Sequence, residues 1–288
     1  MINDKDIYCY ELSNAYFSKF SSFIYKECGI NYPPDKKILL EGRLRRRIKA
    51  LNMLEYEEYY NYLISPGGIE NELIFFINVV TTNKTDFFRE PAHFNYLKDN
   101  LLPQLYADGG SRYRSSFSTW SAGCSSGEEP YTLAIVMEEF KRQYSSFNYE
   151  VFASDISSDV LHCAVKGVYP EDSLVDVDIS FKKKYFLKSK APGSRLVRVV
   201  PELRDRINFF RLNLMDKVYN VPKKFNVIFC RNVIIYFDKK TQEEVLNRFA
   251  SNLLPDGYLF LGHSETITGL NTPFTRISST IYQLKQRV

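Results

Sequence analysis

The chain has 288 residues, of which 44% are hydrophobic, 15% aromatic and 25% charged. That balance supports a sizeable core and excludes a long disordered or low-complexity protein. The net charge of +4 is too small to indicate a nucleic-acid partner on its own, so local clusters matter more than the total.

The five cysteines, Cys9, Cys28, Cys124, Cys163 and Cys230, are odd in number and form no Cys-x-x-Cys pair. This argues against a disulfide framework or a structural zinc site and fits a reducing compartment. The start, Met-Ile-Asn-Asp-Lys-Asp, lacks the basic and apolar segments of a secretory leader. No apolar stretch approaches the ~20 residues that a membrane span needs. A soluble, cytoplasmic protein is expected.

In chain order, residues 1 to about 75 read as helices. Ser13 caps a helix whose apolar stripe is Tyr16, Phe17, Phe20, Phe23 and Ile24, and Gly29 stops it. Pro33-Pro34 opens a second helix with Leu40, Leu44, Ile48 and Leu51 on one face. Two more are expected at Glu55 to Leu63 and Ile69 to Val79, separated by Ser65-Pro66-Gly67-Gly68. From about residue 115 short apolar runs alternate with helical patterns. Strands are expected at Phe117–Ala122, Glu150–Ser154, Phe225–Cys230, Tyr258–Gly262 and Thr280–Leu284. Helices are expected at Glu128–Phe140, Ser158–Val165 and Lys240–Leu254. This alternation predicts an α/β fold with a parallel sheet, whose ligands bind at the carboxyl ends of the strands. Lys184–Lys188 and Arg195–Val199 break the pattern and read as an inserted β-hairpin around Ala191-Pro192-Gly193-Ser194.

Four segments carry candidate chemistry. In Trp120-Ser-Ala-Gly-Cys-Ser-Ser-Gly-Glu-Glu-Pro-Tyr131 a strand runs through a small-residue loop into a helix that begins with two acids. The loop has no Lys or Arg for a phosphate and matches no phosphate-binding pattern. Its acids suit a ligand that is cationic or rich in hydroxyls, such as S-adenosylmethionine. Equally, Glu128 and Glu129 can simply favour the helix dipole. Asp155 ends the next strand, where a carboxylate can accept both hydroxyls of a ribose or can cap the following helix. Arg231 and Asn232 follow the 225–230 strand, close to Tyr236; they are either site residues or an ion pair beside a core tyrosine. Adenine-amino methyltransferases carry two prolines at this edge, and they are absent here. Thr81 to Glu90 packs polar groups and an arginine into the stretch between the helices and the sheet, either as a ligand-contacting linker or as a well-capped one. The three histidines, His93, His162 and His263, show no metal-binding spacing, and no metal is expected. Gly262-His263-Ser264-Glu265-Thr266 looks like a nucleophile elbow without its closing glycine. Cys124 lacks a basic partner, which makes it a poor thiolate.

Together these segments resemble the chemotaxis receptor glutamate O-methyltransferases, the CheR family, over nearly the whole chain. The resemblance implies a Rossmann-like S-adenosylmethionine-dependent methyltransferase sheet with an inserted small β-subdomain, behind an all-helical N-terminal domain. It divides the chain into a receptor-docking helical domain at 1–75, a linker at 76–90 that contributes to the cofactor site, and a catalytic domain at 91–288 with its hairpin at about 180–205. It implies cofactor contacts from Asn83, Thr85, Arg89, Glu129, Asp155, Asn213, Leu214, Arg231 and Asn232, with Arg89 and Tyr236 at the methyl-transfer centre. The implied reaction makes glutamate methyl esters and S-adenosylhomocysteine on the cytoplasmic helical region of methyl-accepting receptors, by a monomer that does not enter the membrane and binds no nucleic acid. Because that region is acidic, Arg43, Arg46 and Arg47, on one side of their helix by spacing, are expected to dock it. A nucleic-acid methyltransferase and a non-catalytic receptor adaptor are the competing readings.

Overall fold

The structure, a computed structural model, describes residues 11–108 and 117–285. Cys9 and the start of the chain lie outside the described residues.

Helix α1 (Asn14–Cys28) begins where Ser13 Oγ accepts the N–H of Tyr16 and ends at Gly29, whose left-handed φ of +71° closes the helix. Helix α2 (Lys37–Ala50) follows the Pro33-Pro34 turn and buries Leu40, Leu44 and Ile48. Next come α3 (Tyr56–Leu63), α4 (Pro66–Asn71) and α5 (Leu73–Val80). The Ser-Pro-Gly-Gly stretch, expected to separate two helices, instead starts α4. Ser65 Oγ accepts the N–H of Gly68, and Pro66 fills the first helical position, where its missing N–H costs nothing. A Cβ on Gly68 would stand 2.0 Å from the Tyr62 carbonyl, so glycine is required there by packing. The helices enclose a core of their own, with Phe20, Tyr59 and Phe76 in mutual ring contact. Each such buried aromatic contributes on the order of 2–3 kcal/mol through lost water contact.

Helix α6 (Pro91–Tyr96) continues through a wide turn at Leu97–Leu101 into α7 (Leu102–Asp108). The sheet then opens with β1 (Phe117–Ala122), α8 (Glu128–Gln143), β2 (Tyr149–Asp155) and α9 (Ser158–Lys166). A small antiparallel sheet follows, built from β3 (Val168–Pro170), β4 (Phe186–Lys188) and β5 (Leu196–Val199), with α10 (Ile179–Tyr185) between the first two. The expected hairpin is therefore two strands of a three-stranded unit, with β5 in the middle. The chain returns through α11 (Pro201–Arg204) to β6 (Ile207–Arg211) and β7 (Phe225–Cys230). It ends with α12 (Lys239–Asn252), β8 (Leu253–Leu261), β9 (Phe274–Ser278) and β10 (Ile281–Leu284).

The seven-stranded sheet runs β6-β2-β1-β7-β8-β10-β9. Its first five strands are parallel; β10 runs antiparallel to β8, and β9 antiparallel to β10. Strand order reverses between β1 and β7, which opens a crevice at their carboxyl ends. One apolar layer, which includes Phe94, Ile135 and Phe229, fills one face of the sheet; a second, around Trp120, Phe225 and Phe249, fills the other. β1 and β7 are buried at every position, so the strands that carry the site cannot shift without disturbing both layers.

Candidate active site

A cavity of about 290 Å³ lies at that crevice, near the lower end of small-molecule sites. Asn83, Thr85, Arg89, Glu129, Asp155, Asn213, Leu214, Arg231, Asn232 and Tyr236 all line it. Ten positions spread over the chain from 83 to 236 thus meet at one place. Sequence reasoning missed the contribution of Cys28, the last residue of α1, of Ile30 just past it, and of Leu212, Val233 and Phe237. The apolar character of those five was indistinguishable from core packing.

The loop after β1 forms the floor. Gly123 has φ +80°, and a Cβ there would stand 2.5 Å from Val233 Cγ2, so only glycine lets the two loops approach this closely. Ser125 donates its N–H to Asp155 Oδ2 at 2.9 Å and its hydroxyl to the Asn83 carbonyl at 2.8 Å, which ties floor, second strand and linker together. Asp155 Oδ1 accepts the Ser157 N–H at 2.9 Å. Asp155 therefore lines the cavity and holds the turn that leads into α9, whose N-cap position is Ser157 and has no side-chain cap bond. Burial raises its carboxyl pKa, and the N–H groups of Ser157, Ser125 and Ile156 oppose that rise. Glu128, buried by the loop and held by the Ser126 hydroxyl, is pushed up to about 6 by burial.

Arg231 is 6% exposed and bridges Glu129 and Glu90, at 3.0 Å each. It also donates to the Arg89 carbonyl, and its guanidinium lies 5.2 Å from the Phe94 ring centroid. Glu129 in turn accepts the Ser121 hydroxyl at 2.7 Å. Burial raises the Glu129 pKa, against the pull of Arg231. Arg231 thus forms the expected ion pair, its charge neutralised by carboxylates, while its side chain walls the cavity.

Arg89 differs. Nη1 donates to the Lys84 carbonyl at 3.0 Å, and Arg89 forms no ion pair among the described residues. Its neighbours Phe88 and Glu90 both hold left-handed φ values, +55° and +56°. Strain of that kind persists only where the surroundings hold it. The Phe88 N–H is fixed on Thr132 Oγ1, and Glu90 by Arg231, Asn232 and the His263 N–H.

The loop that carries Asn232 and Tyr236 hangs on Glu265. This buried carboxylate accepts the N–H groups of Asn232, Val233, Ile235 and Gly262. The Gly-His-Ser-Glu segment is therefore a backbone bracket and not a nucleophile elbow. Asn213 anchors the opposite wall to the helical part by donating Nδ2 to the Glu27 carbonyl at 2.7 Å. Tyr236 accepts the Asn31 N–H at its own carbonyl, and Lys36 Nζ sits 5.9 Å from the centre of its ring.

The three arginines of α2 differ in their surroundings. Arg47 makes a two-pronged bond to Glu72, 2.7 Å on each oxygen, and Glu72 is 1% exposed. Arg43 donates to Tyr32 Oη, the Val80 carbonyl and Thr82 Oγ1. Both guanidiniums have internal partners, and of the three arginines only Arg46 is exposed. Cys124 is buried with its thiol pKa pushed well up by burial, as expected of an inert thiol. The histidines need correction, because the fold brings the rings of His93 and His263 to 5.1 Å.

Two family models match the chain: "CheR methyltransferase, all-alpha domain" at residues 15–81 and "CheR methyltransferase, SAM binding domain" at 83–283. The chain is 41% identical to a chemotaxis protein methyltransferase of Borreliella burgdorferi, over 88% of each chain. It is 39% identical to that of Escherichia coli, over 96% of this chain and 92% of the other. A Pseudomonas aeruginosa relative, chemotaxis protein methyltransferase 2, is 38% identical over 92% and 91%. The helical part, the linker-walled cavity and the parallel sheet are thus the parts of an S-adenosylmethionine-dependent enzyme, and the chain belongs to the CheR methyltransferase family.

Proposed function

We propose that this chain esterifies glutamate side chains on the cytoplasmic helical region of chemotaxis receptors with the methyl group of S-adenosylmethionine, leaving S-adenosylhomocysteine. The observation that carries the reading is the convergence of linker, floor and three strand ends on one cavity at the strand-order switch.

The donor set fits the cofactor. Cys28, Ile156, Leu212, Leu214 and Phe237 give apolar walls for a purine, with Asn213 at its edge. Asp155 suits ribose hydroxyls, and the carboxylates of Glu129 and Asp155 suit a cationic ligand. Gly123 leaves room for close backbone approach. Asn83, Thr85, Arg89, Arg231 and Asn232 complete the set. When bound, S-adenosylmethionine supplies an electrophilic methyl carbon on a sulfonium.

A glutamate with an unperturbed pKa of about 4.3 is already ionised at neutral pH, so no general base is needed. Arg231 is neutralised by Glu90 and Glu129, whereas Arg89 pairs with no carboxylate among the described residues. That difference supports Arg89 as the cation that orients an incoming carboxylate, with Tyr236 beside it. Cys28, Ile30 and Phe237 add apolar lining, which favours alignment and desolvation as the main sources of rate. We assign docking to the helical part, cofactor contact to the linker and chemistry to the sheet domain, acting as a cytoplasmic monomer. Among the described residues no helix is long and apolar enough to cross a membrane.

The test is incubation of the chain with methyl-labelled S-adenosylmethionine and a receptor cytoplasmic fragment. Label released by base as methanol is expected. Label that resists base, label in added nucleic acid, or no transfer would overturn the proposal.

A further inference from the structure

Glu90, His93 and His263 come from the linker, α6 and the loop after β8, and one ligand atom of each lies within 4.8 Å of the others. None of the three lines the cofactor cavity. His93 is 2% exposed. Its Nε2 is 2.8 Å from Thr280 Oγ1, and that hydroxyl gives its own hydrogen to the Ser279 carbonyl. Nε2 must therefore carry the proton and donate it, which leaves Nδ1 a bare lone pair. No donor reaches Nδ1. The atom it faces is Glu90 Oε2 at 3.5 Å, another acceptor. Two acceptors opposed in a buried space repel, and a proton or a metal cation between them relieves that repulsion; Oε2 also accepts Arg231 Nη2 at 3.0 Å and the His263 N–H at 3.2 Å. A third donor is near: His263 Nε2 is 3.9 Å from the same oxygen, on a half-exposed side chain.

The spacing suits a small ion. With bonds of about 2.0–2.1 Å, a tetrahedral zinc centre has ligand atoms about 3.4 Å apart. The observed separations from Glu90 Oε2 are within half an ångström of that, and the exposed His263 ring is free to turn. Arg231 opposes a cation here. It is flanked by two carboxylates, Glu90 and Glu129, so the cluster holds surplus negative charge when the imidazoles are neutral. The His93–Thr280 bond fixes the ring orientation, as the outer contacts of metal-bound histidines do.

We propose that Glu90 Oε2, His93 Nδ1 and His263 Nε2 form a binding site for a divalent transition metal of the zinc class, with solvent as the fourth ligand. Two imidazoles and one carboxylate match the preference of such ions. The bound ion joins the linker, α6 and the Gly262–Glu265 loop, three segments far apart in sequence, behind the cofactor cavity.

Cobalt(II) is the probe, because its visible ligand-field bands intensify in a four-coordinate nitrogen and oxygen site. The full chain, freed of metal with a chelator, is titrated with cobalt chloride and then with zinc chloride. One equivalent of intense band, bleached by zinc, is expected. His263→Ala, a change at an exposed side chain, is expected to weaken cobalt binding by at least about tenfold, since even outer contacts cost that much. His162→Ala, which alters an exposed histidine elsewhere, is expected to leave it unchanged. Zinc is expected to raise the unfolding midpoint of the parent chain but not that of His263→Ala. Absence of the band at one equivalent, or equal binding by His263→Ala and the parent, would overturn the proposal.

Discussion

Glu265 Oε2 accepts the backbone N–H of Asn232 at 2.9 Å, and the same oxygen accepts the N–H of Gly262 at 2.6 Å. Oε1 serves Val233 and Ile235. The loop after β7 is thus shaped by a side chain that touches no ligand. Glutamine has nearly the same volume, but either orientation of its amide sets an NH2 against two N–H donors. Glu265→Gln is expected to cost about 2–3 kcal/mol of unfolding free energy, the range for buried donors left unpaired. It is also expected to weaken S-adenosylhomocysteine by about tenfold, roughly 1.4 kcal/mol. Urea unfolding and titration calorimetry check both, and an unchanged affinity would count against the bracket.

Glu128 makes a pH prediction. Its pKa is raised from the ordinary 4.5 to about 6 by burial, so the folded chain binds this proton more tightly than the unfolded chain does. Stability from this group is full below pH 4.5 and is lost as pH rises through about 6. The loss amounts to about 2 kcal/mol, at 1.36 kcal/mol per pKa unit. Glu128→Gln has no such proton. Its stability relative to the parent should therefore improve by about that amount between pH 4.5 and pH 7. Paired denaturant curves at the two pH values measure the difference, and a flat difference would contradict the assigned burial.

The parts of this fold legible in the sequence were those governed by short range. β7 is a nearly continuous apolar run, β1 and β2 set polar residues among large apolar ones, and each leads directly to a chemically distinctive residue, Gly123, Asp155 or Arg231, so strands and site are legible together. β6 and β9 were not read. Ile207–Arg211 and Phe274–Ser278 expose much of their length, and Asn208, Arg211, Thr275, Arg276 and Ser278 interrupt their apolar residues, which blurs the pattern of a buried strand. The Gly67-Gly68 pair looked like a break because the Ser65 cap and the contact with Tyr62 outweigh glycine's helix penalty only in the folded chain. Helical spacing put Arg43, Arg46 and Arg47 on one side but was silent about Glu72, a partner twenty-five positions away from Arg47. His93 and His263 looked unrelated because only the sheet brings them together.

That partner separates the arginines experimentally. Arg47→Met keeps most of the side-chain volume but leaves buried Glu72 with only the Tyr59 hydroxyl, at an expected cost of about 3–5 kcal/mol. Arg46→Glu alters an exposed side chain and should change stability by less than about 0.5 kcal/mol. If Arg46 docks an acidic receptor helix, its reversal slows methylation of the receptor fragment, more so at low salt, with S-adenosylhomocysteine affinity unchanged. Unfolding curves and salt-dependent methylation rates give both readouts. Unaltered methylation by Arg46→Glu would remove Arg46 from the docking surface.

Two glycines with similar backbone isolate the effect of space. Gly123 and Gly193 have φ of +80° and +74°, but a Cβ on Gly193 meets nothing within 4 Å. Gly193→Ala should cost about 1 kcal/mol of stability from backbone strain alone and leave the cofactor untouched. Gly123→Ala adds a collision with Val233, which lines the cavity. It should therefore also weaken S-adenosylhomocysteine by about tenfold or more, the equivalent of 1.4 kcal/mol. Calorimetry on the pair decides the matter, and equal affinities would show that the loops can part without cost.

Tyr236 sits where the helical part meets the cavity, its carbonyl held by Asn31 and its ring beside Lys36. The backbone contact survives Tyr236→Phe, so the loop keeps its shape and only the hydroxyl is lost. If that hydroxyl orients the incoming carboxylate, kcat for receptor methylation falls by about tenfold to a hundredfold, or roughly 1.4–2.7 kcal/mol of barrier. Affinity for S-adenosylhomocysteine then shifts far less. A loss confined to the transition state lowers kcat and kcat/KM together. Equal losses in turnover and in S-adenosylhomocysteine affinity would instead make Tyr236 a wall of the cofactor pocket, leaving Arg89 alone to orient the substrate.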